Sequence, residues 1–130
     1  ARLLNSEGLI KTNDDFLNAQ VELEATYSNI LKTLEESNAN VHILPGSIAS
    51  NVKKEITTLG RGGSDFTAAL VANAVSADLL EIWTDVSGMF TANPKLVKQA
   101  VAIKEISYKK QWSFLILELK YSTHLLYNLF

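Results

Sequence analysis

The chain places three glycines within four positions, directly after a short apolar run and directly before an alanine-rich segment. Residues Thr57 to Asp65 read T-T-L-G-R-G-G-S-D, and residues 66–77 that follow favour helix. We therefore predict a strand, a glycine loop and a helix in succession. Glycine lets the backbone approach a ligand without a Cβ barrier, and the free N–H groups at a helix start attract anions. This pattern favours an anion-binding loop.

The side chains of this loop suit the same chemistry. Arg61 can bind a carboxylate through two hydrogen bonds, Ser64 supplies a hydroxyl, and Asp65 could hold a lysine or a metal-bound phosphate. The residues are equally compatible with a tight turn in which Asp65 only caps the helix. Neither standard nucleotide loop is present, because no Lys-Ser/Thr pair follows the last glycine and the third glycine of a dinucleotide fingerprint would fall at Asp65.

The rest of the chain alternates between strand and helix patterns. Apolar residues at helical spacing predict a helix from Phe16 to Leu34, begun by the capping side chains of residues 12–15. Further predictions are a strand at residues 41–44, a hairpin tip at 53–55, a strand at 79–83 and a short helix from Asn93. Such alternation indicates an α/β layered sheet flanked by helices, with ligands at loops that follow strand ends.

Four other residues offer weaker signals. Thr84 and Asp85 follow the predicted strand and could hydrogen-bond an adenine or ribose edge, although a polar boundary between strand and turn explains them as well. Lys95 could reach a phosphate or simply be solvated. His42 fits a partly buried strand histidine better than a metal ligand.

Composition excludes several classes of function. The net charge of −2 provides no basic field for nucleic acid, and two histidines without any cysteine do not suggest a metal site of the chain's own. The apolar stretch from Trp112 to Phe130 is interrupted by Glu118, Lys120 and His124, so we expect no membrane span. The first residues lack a continuous apolar core, which favours a cytoplasmic protein.

The T-T-L-G-R-G-G-S-D run, followed by I-W-T-D-V-S-G-M-F at residues 82–90, closely resembles the aspartate kinase branch of the amino-acid kinase family. The resemblance extends from residue 4 to about residue 109. It implies a partial amino-acid kinase fold, a fragment of a three-layer α/β/α domain, over residues 1–109.

The resemblance also implies roles for individual residues. The amino-acid substrate would be bound by Arg61, Gly62, Gly63 and Ser64. Asp65 would be the catalytic residue that organises the transferring phosphate. The nucleotide would be bound by Thr84, Asp85, Phe90 and Lys95, of which Phe90 and Lys95 stand where many relatives have tyrosine and arginine.

The implied reaction is attack by the β-carboxylate of aspartate on the γ-phosphate of ATP, with Mg arriving on the nucleotide. The resemblance implies that this chain belongs to a longer parent protein. The implied partners are these small molecules, further copies of the parent, and a fused regulatory or homoserine dehydrogenase domain. The family's Lys-Phe-Gly-Gly-Thr loop would precede Ala1, so we expect this chain alone to be inactive. The alternatives are a non-catalytic remnant that binds an amino acid or nucleotide weakly, and a kinase for glutamate or a nucleotide, which the loop sequence disfavours.

The last 21 residues differ in composition from the rest. They contain no glycine or alanine but hold 5 of the 11 aromatic residues. A back-translation of residues 111–130, read two bases later, reproduces the sequence with which aspartate kinases continue. We therefore predict that residues 110–130 are an aberrant, frame-shifted tail.

Overall fold

The structure is a computed structural model that describes residues 1–83 and 88–107. The chain divides into two compact units, Ala1–Ile82 and Trp83–Phe130, which are described separately. The first unit contains three helices, α1 (Ser6–Leu9), α2 (Leu23–Glu35) and α3 (Gly63–Ala74). Its strands are β1 (Arg2–Leu3), β2 (His42–Ile43), β3 (Ile48–Ser50) and β4 (Ile56–Thr58).

The strands form two small sheets. Strands β1 and β2 are parallel, with Arg2 opposite His42, whereas β3 and β4 form an antiparallel hairpin with Ala49 opposite Thr57. The chain at residues 10–12 runs along the free edge of β3, where the Ser50 N–H donates to the Ile10 carbonyl at 3.0 Å. Strand β3 is therefore held between β4 and residues 10–12.

One apolar core joins these elements. Helix α1 packs on β3, and α2 packs on both α1 and α3. The buried members of the core are Leu4, Leu9, Ile10, Ile30, Ala49, Leu59 and Leu70. Burial of these side chains is the main stabilising contribution to the unit. The predicted α/β class is confirmed, as are the β2 strand and the hairpin tip at residues 53–55.

The hairpin turn is organised by Asn51, a residue that the sequence patterns did not single out. Its side chain is fully buried. The amide nitrogen donates to the carboxylates of Asp14 and Glu55 at 2.9 and 2.7 Å. The amide oxygen accepts from the backbone N–H groups of Lys53 and Glu55. Every polar group of this buried amide is thus satisfied, by the turn itself and by Asp14.

The predicted helix from Phe16 to Leu34 is wrong over its first part. The Phe16 carbonyl accepts from the Thr58 N–H, and the Ala19 N–H donates to the Thr58 carbonyl, so this segment lies along β4 instead. The Asn13 side chain accepts from Gln20 N–H and stabilises this loop rather than capping a helix. Helix α2 begins after Glu22, whose side chain makes no capping hydrogen bond.

Two other predicted elements are absent from the described residues. Residues 79–83 form no strand there, and Leu79 and Trp83 are largely exposed. An apolar run becomes a strand only where a neighbouring strand can accept and donate its backbone hydrogen bonds, and no described strand lies beside this one. At Asn93 the chain forms a turn, with the Val97 N–H donating to the Asn93 carbonyl, but no helix continues from it.

The described part of the second unit contains one short antiparallel contact, in which Phe90 pairs with Ala102. Within residues 1–83 and 88–107, no helix has the length and hydropathy needed to cross a membrane. The predicted frame-shifted tail, residues 110–130, lies outside the described residues.

Candidate functional site

The glycine loop ends where α3 begins, and its backbone conformation is one that favours glycine. Gly62 is the N-cap residue and has a φ of 74°. A Cβ at Gly62 would meet nothing within 4 Å, so the position requires glycine because of its backbone angles rather than for lack of space. The left-handed residue turns the chain from the end of β4 directly into the helix.

The predicted binding side chains project from this turn into solvent. Arg61, Ser64 and Asp65 are all exposed, and no hydrogen bond or ion pair within the described residues engages their side chains. The backbone N–H groups of Ser64 and Asp65 lie in the first helical turn and find no carbonyl partner in the described part of the chain. One guanidinium, one hydroxyl and two free amides therefore face solvent around the helix start, an arrangement that can bind an anion.

The interpretation of Asp65 as a helix cap is wrong. Helix α3 starts at Gly63, and Asp65 is its third residue, without a capping hydrogen bond. The helix begins three residues earlier than the alanine-rich segment predicts, because left-handed Gly62 already supplies the start. The Asp65 carboxylate is consequently free for a ligand.

Gly63 differs from Gly62 because it faces the protein. A Cβ at Gly63 would lie 2.8 Å from the Ser47 hydroxyl and 3.0 Å from Leu59 Cβ. Its N–H donates to the Gly60 carbonyl, and its own carbonyl accepts from the Thr67 hydroxyl. Both backbone groups of Gly63 are thus engaged inside the chain, and its role is close packing of the loop.

A second segment, residues 45–47, packs against the glycine loop. Ser47 has a φ of 67°, and a Cβ at Gly46 would lie only 2.7 Å from Ser64 Cα. The Leu59 N–H donates to the Ser47 carbonyl at 3.0 Å, and the Ser47 N–H donates to the Thr67 hydroxyl at 3.1 Å. Residues 45–47 therefore support the start of α3 from the side opposite to solvent.

A cleft of about 440 Å³ borders Ser64 on the first unit. Its walls are mainly apolar, and they include Leu44, Val71, Val75, Leu79 and Leu80. Such walls do not suit a small polar amino acid. The exposed polar groups at the start of α3 therefore form the candidate site for one.

The other predicted site residues belong to the second unit, Trp83–Phe130. Thr84 and Asp85 lie outside the described residues. Phe90 is half-buried and Lys95 is exposed, and both belong to the second unit.

The His42 ring accepts or donates a hydrogen bond with the Ser37 hydroxyl at 2.8 Å, which agrees with a structural histidine. Within residues 1–83 and 88–107, no three His, Asp or Glu side chains are grouped to hold a metal ion.

Comparison with known proteins decides the family. The model of the amino acid kinase family matches residues 1–113, most of the chain. The chain belongs to the amino acid kinase family.

Its relatives within this family are aspartokinases. Lysine-sensitive aspartokinase 3 of Escherichia coli is 43% identical over 101 residues, which are 77% of this chain and 22% of that protein. The bifunctional aspartokinase/homoserine dehydrogenase of Buchnera aphidicola is 36% identical over 104 residues, covering 80% of this chain and 13% of that protein. The chain therefore spans less than a quarter of the length of these amino acid kinases.

The solved structures agree with this assignment. The crystal structure of E. coli aspartokinase III in complex with aspartate and ADP superposes with a TM-score of 0.80 and 37% identity. The match covers 88% of this chain and 26% of that one. The partial amino-acid kinase fold that the loop motif implied is thus confirmed.

Sequence reasoning missed two residues of the site, Ser47 and Thr67. Ser47 lacks any motif signal, and its left-handed backbone is visible only in the structure. Thr67 sits four residues after Gly63, the spacing at which a helical side chain reaches back to a carbonyl of the first turn. That spacing is the one signal that could have identified it.

Proposed function

We propose that the chain is part of an aspartokinase that phosphorylates the β-carboxylate of aspartate with ATP. A carboxylate oxygen attacks the γ-phosphorus, the bond from that phosphorus to the β,γ-bridging oxygen breaks, and ADP leaves with the electron pair. The products are an acyl phosphate and ADP. Such a transfer needs little covalent help from a protein, which must align two anions and neutralise their charge.

The observation that supports this proposal is the free anion-binding turn at the start of α3. Arg61 is the charged donor there, and its planar guanidinium can hold one carboxylate of aspartate through two parallel hydrogen bonds. Ser64 adds its hydroxyl and its unpaired N–H. Gly62 leaves open space next to these donors, so a ligand can approach the backbone closely. Gly63 contributes by its tight packing on Ser47.

Asp65 cannot bind the phosphate directly, because two anions repel each other. Its exposed carboxylate would instead hold a cation, either a lysine or the Mg that accompanies ATP, beside the transferring group. We therefore propose ATP as a substrate that brings Mg with it. Thr84, Asp85, Phe90 and Lys95 are the proposed nucleotide contacts.

We also propose how the chain relates to its parent. Residues 1–109 would be a partial kinase domain, and residues 110–130 a frame-shifted tail. The parent would act at the first step of lysine, threonine and methionine synthesis. It would assemble as a homo-oligomer and could carry a regulatory or homoserine dehydrogenase domain. A cytoplasmic location stays a prediction, since relatives in Zea mays and Arabidopsis thaliana are described as chloroplastic.

Titration of the 130-residue chain with aspartate, followed by amide NMR or calorimetry, tests the substrate site. We expect weak binding that Arg61→Ala lowers at least tenfold. Arg2→Ala is the matched control, because Arg2 is also exposed but lies in β1. Equal loss in both variants, or equal binding of glutamate and aspartate, would contradict the proposed site.

A phosphate-transfer assay on the same chain separates the two interpretations of its activity. We expect aspartate binding but no ADP release, because these residues span less than a quarter of the length of the aspartokinases that they resemble. ADP release that Asp65→Ala abolishes would identify an active enzyme. Absence of turnover, with or without weak binding, would favour the non-catalytic remnant.

A further inference from the structure

We propose that Thr67 is the positioning residue of the aspartate site, and that its hydroxyl sets the first turn of α3 against Ser47. The inference rests on the proposed function, because it assigns Thr67 a role through Ser64. Thr67 is only 3% exposed, so we assign it a role in positioning the turn rather than in binding aspartate directly.

The hydroxyl of Thr67 makes two hydrogen bonds that serve different segments. It donates to the Gly63 carbonyl at 2.7 Å, and it accepts from the Ser47 N–H at 3.1 Å. The two bonds join the first turn of α3 to a loop 20 residues earlier in the chain. Because one oxygen atom takes part in both bonds, loss of the Thr67 hydroxyl removes both at once.

Ser47 needs this support because its backbone is strained. A φ of 67° is uncommon for a residue with a Cβ, and it persists only where surrounding contacts fix it. Two hydrogen bonds do so here, since the Ser47 N–H donates to Thr67 and its carbonyl accepts from Leu59. Loss of the Thr67 hydroxyl would remove one of these two restraints.

The support bears directly on the binding turn. Gly46 packs on Ser64, with an added Cβ only 2.7 Å from Ser64 Cα, and Gly63 packs equally closely on Ser47. Because of these contacts, no free space separates residues 46–47 from residues 63–64. A displacement of Ser47 therefore displaces Ser64, whose N–H and hydroxyl are proposed to bind aspartate. Small displacements of this kind weaken a bidentate or multi-donor site markedly.

Thr67→Val tests the inference because valine has nearly the same shape as threonine but no hydroxyl. We expect aspartate affinity to fall about fivefold to tenfold, and the amide resonances of residues 62–65 to shift. Thr67→Ser keeps the hydroxyl. Its aspartate affinity should therefore stay within about twofold of that of the unsubstituted chain, and the resonances of residues 62–65 should stay close to their original positions. If Thr67 acted only through packing of its methyl group, the order of the two effects would be reversed, and Thr67→Val would be tolerated better than Thr67→Ser.

Thr26→Val is the matched control. Thr26 is also a fully buried helical threonine, and its hydroxyl accepts from the Lys11 N–H at 3.0 Å, as that of Thr67 does from Ser47. It lies in α2 rather than in the binding turn. We expect Thr26→Val to lower stability without shifting the resonances of residues 62–65. Equal shifts in both variants would overturn the inference.

Two further readouts keep the inference separate from the proposed function. If the unsubstituted chain binds no aspartate, the proposed function fails. The positioning role is then still decided by comparing the resonance shifts that Thr67→Val and Thr26→Val cause at residues 62–65. If Thr67→Val does not fold, hydrogen exchange of the parent chain decides it. The Ser47 amide should then exchange as slowly as that of Phe66, which donates to Gly62 inside the same turn. Exchange at the rate of an unstructured residue would overturn the inference.

Discussion

The hydroxyl groups of Thr12 and Thr57 lie 2.7 Å apart in the core, although the residues are 45 positions apart in the chain. Both side chains are almost completely buried. The Thr12 hydroxyl also donates to the Asn13 carbonyl at 3.1 Å, whereas the Thr57 hydroxyl has Thr12 as its one hydrogen-bond partner within the described residues; either hydroxyl can be the donor of the bond they share. This contact connects the segment before α2 to β4, the strand that ends at the glycine loop.

The unequal number of hydrogen-bond partners of these two hydroxyls predicts unequal effects of two similar substitutions. Thr12→Val leaves the buried Thr57 hydroxyl without its partner and should lower the free energy of unfolding by about 1–3 kcal/mol. Thr57→Val leaves Thr12 bonded to Asn13 and should cost less. Urea unfolding of both single variants and the double variant measures this. Strictly additive effects would show that the two hydroxyls do not interact.

Asn51→Ala should be among the most destabilising single changes in the hairpin. It removes the buried amide that satisfies two carboxylates and two backbone N–H groups, for an expected loss of about 3 kcal/mol. Asn51→Asp should also destabilise at neutral pH, because its carboxylate would face those of Asp14 and Glu55. Thermal unfolding followed by circular dichroism provides the measurement.

Lys53→Ala is the control for Asn51. Lys53 pairs with Asp14 at 3.5 Å, but both side chains are more than half exposed. Exposed ion pairs contribute little, so we expect a change below about 0.5 kcal/mol. A loss from Lys53→Ala as large as that from Asn51→Ala would mean that the ion pair, and not the buried amide, stabilises the turn.

The two adjacent glycines at the start of α3 should respond differently to alanine. Gly62→Ala places a Cβ in open space but in a left-handed backbone, at a cost of about 1–2 kcal/mol. Gly63→Ala forces a Cβ against Ser47 and Leu59, so the loss should be larger and the resonances of Ser47 should shift. Denaturant titration with amide spectra distinguishes them.

Gly8→Ala is the matched control for both. Gly8 lies in α1, and a Cβ there would meet nothing within 4 Å. We expect it to be neutral or slightly stabilising, because alanine loses less backbone freedom than glycine in a helix. If Gly62→Ala behaved like Gly8→Ala, the left-handed conformation of Gly62 would be contradicted.

The tail predicts a result at the level of DNA. If residues 110–130 are frame-shifted, the coding sequence lacks one base near codon 110, and the shifted frame continues the kinase sequence. Sequencing of the gene region measures this. Codons incompatible with the shifted text would refute the frame shift.

The local elements nearest the glycine loop were the best predicted. Strand β4, the glycine loop and α3 follow from glycine placement and an alanine-rich segment, both of which act over a few residues. The helix from Phe16 was overpredicted because its apolar spacing is real, but residues 16–19 pair with β4 instead. Backbone pairing with a strand 40 residues away has no local signal.

The candidate site divides in the same way. Arg61, Ser64 and Asp65 could be named from the sequence, because the motif itself carries the donor groups and their order. The sequence also carried the family, through the T-T-L-G-R-G-G-S-D run. What the tertiary structure decided is which of these groups are free and what supports them. Gly63 turned out to pack inward on Ser47, and Thr67 to join two distant segments, because close packing and shared hydrogen bonds arise only when distant parts of the chain are brought together.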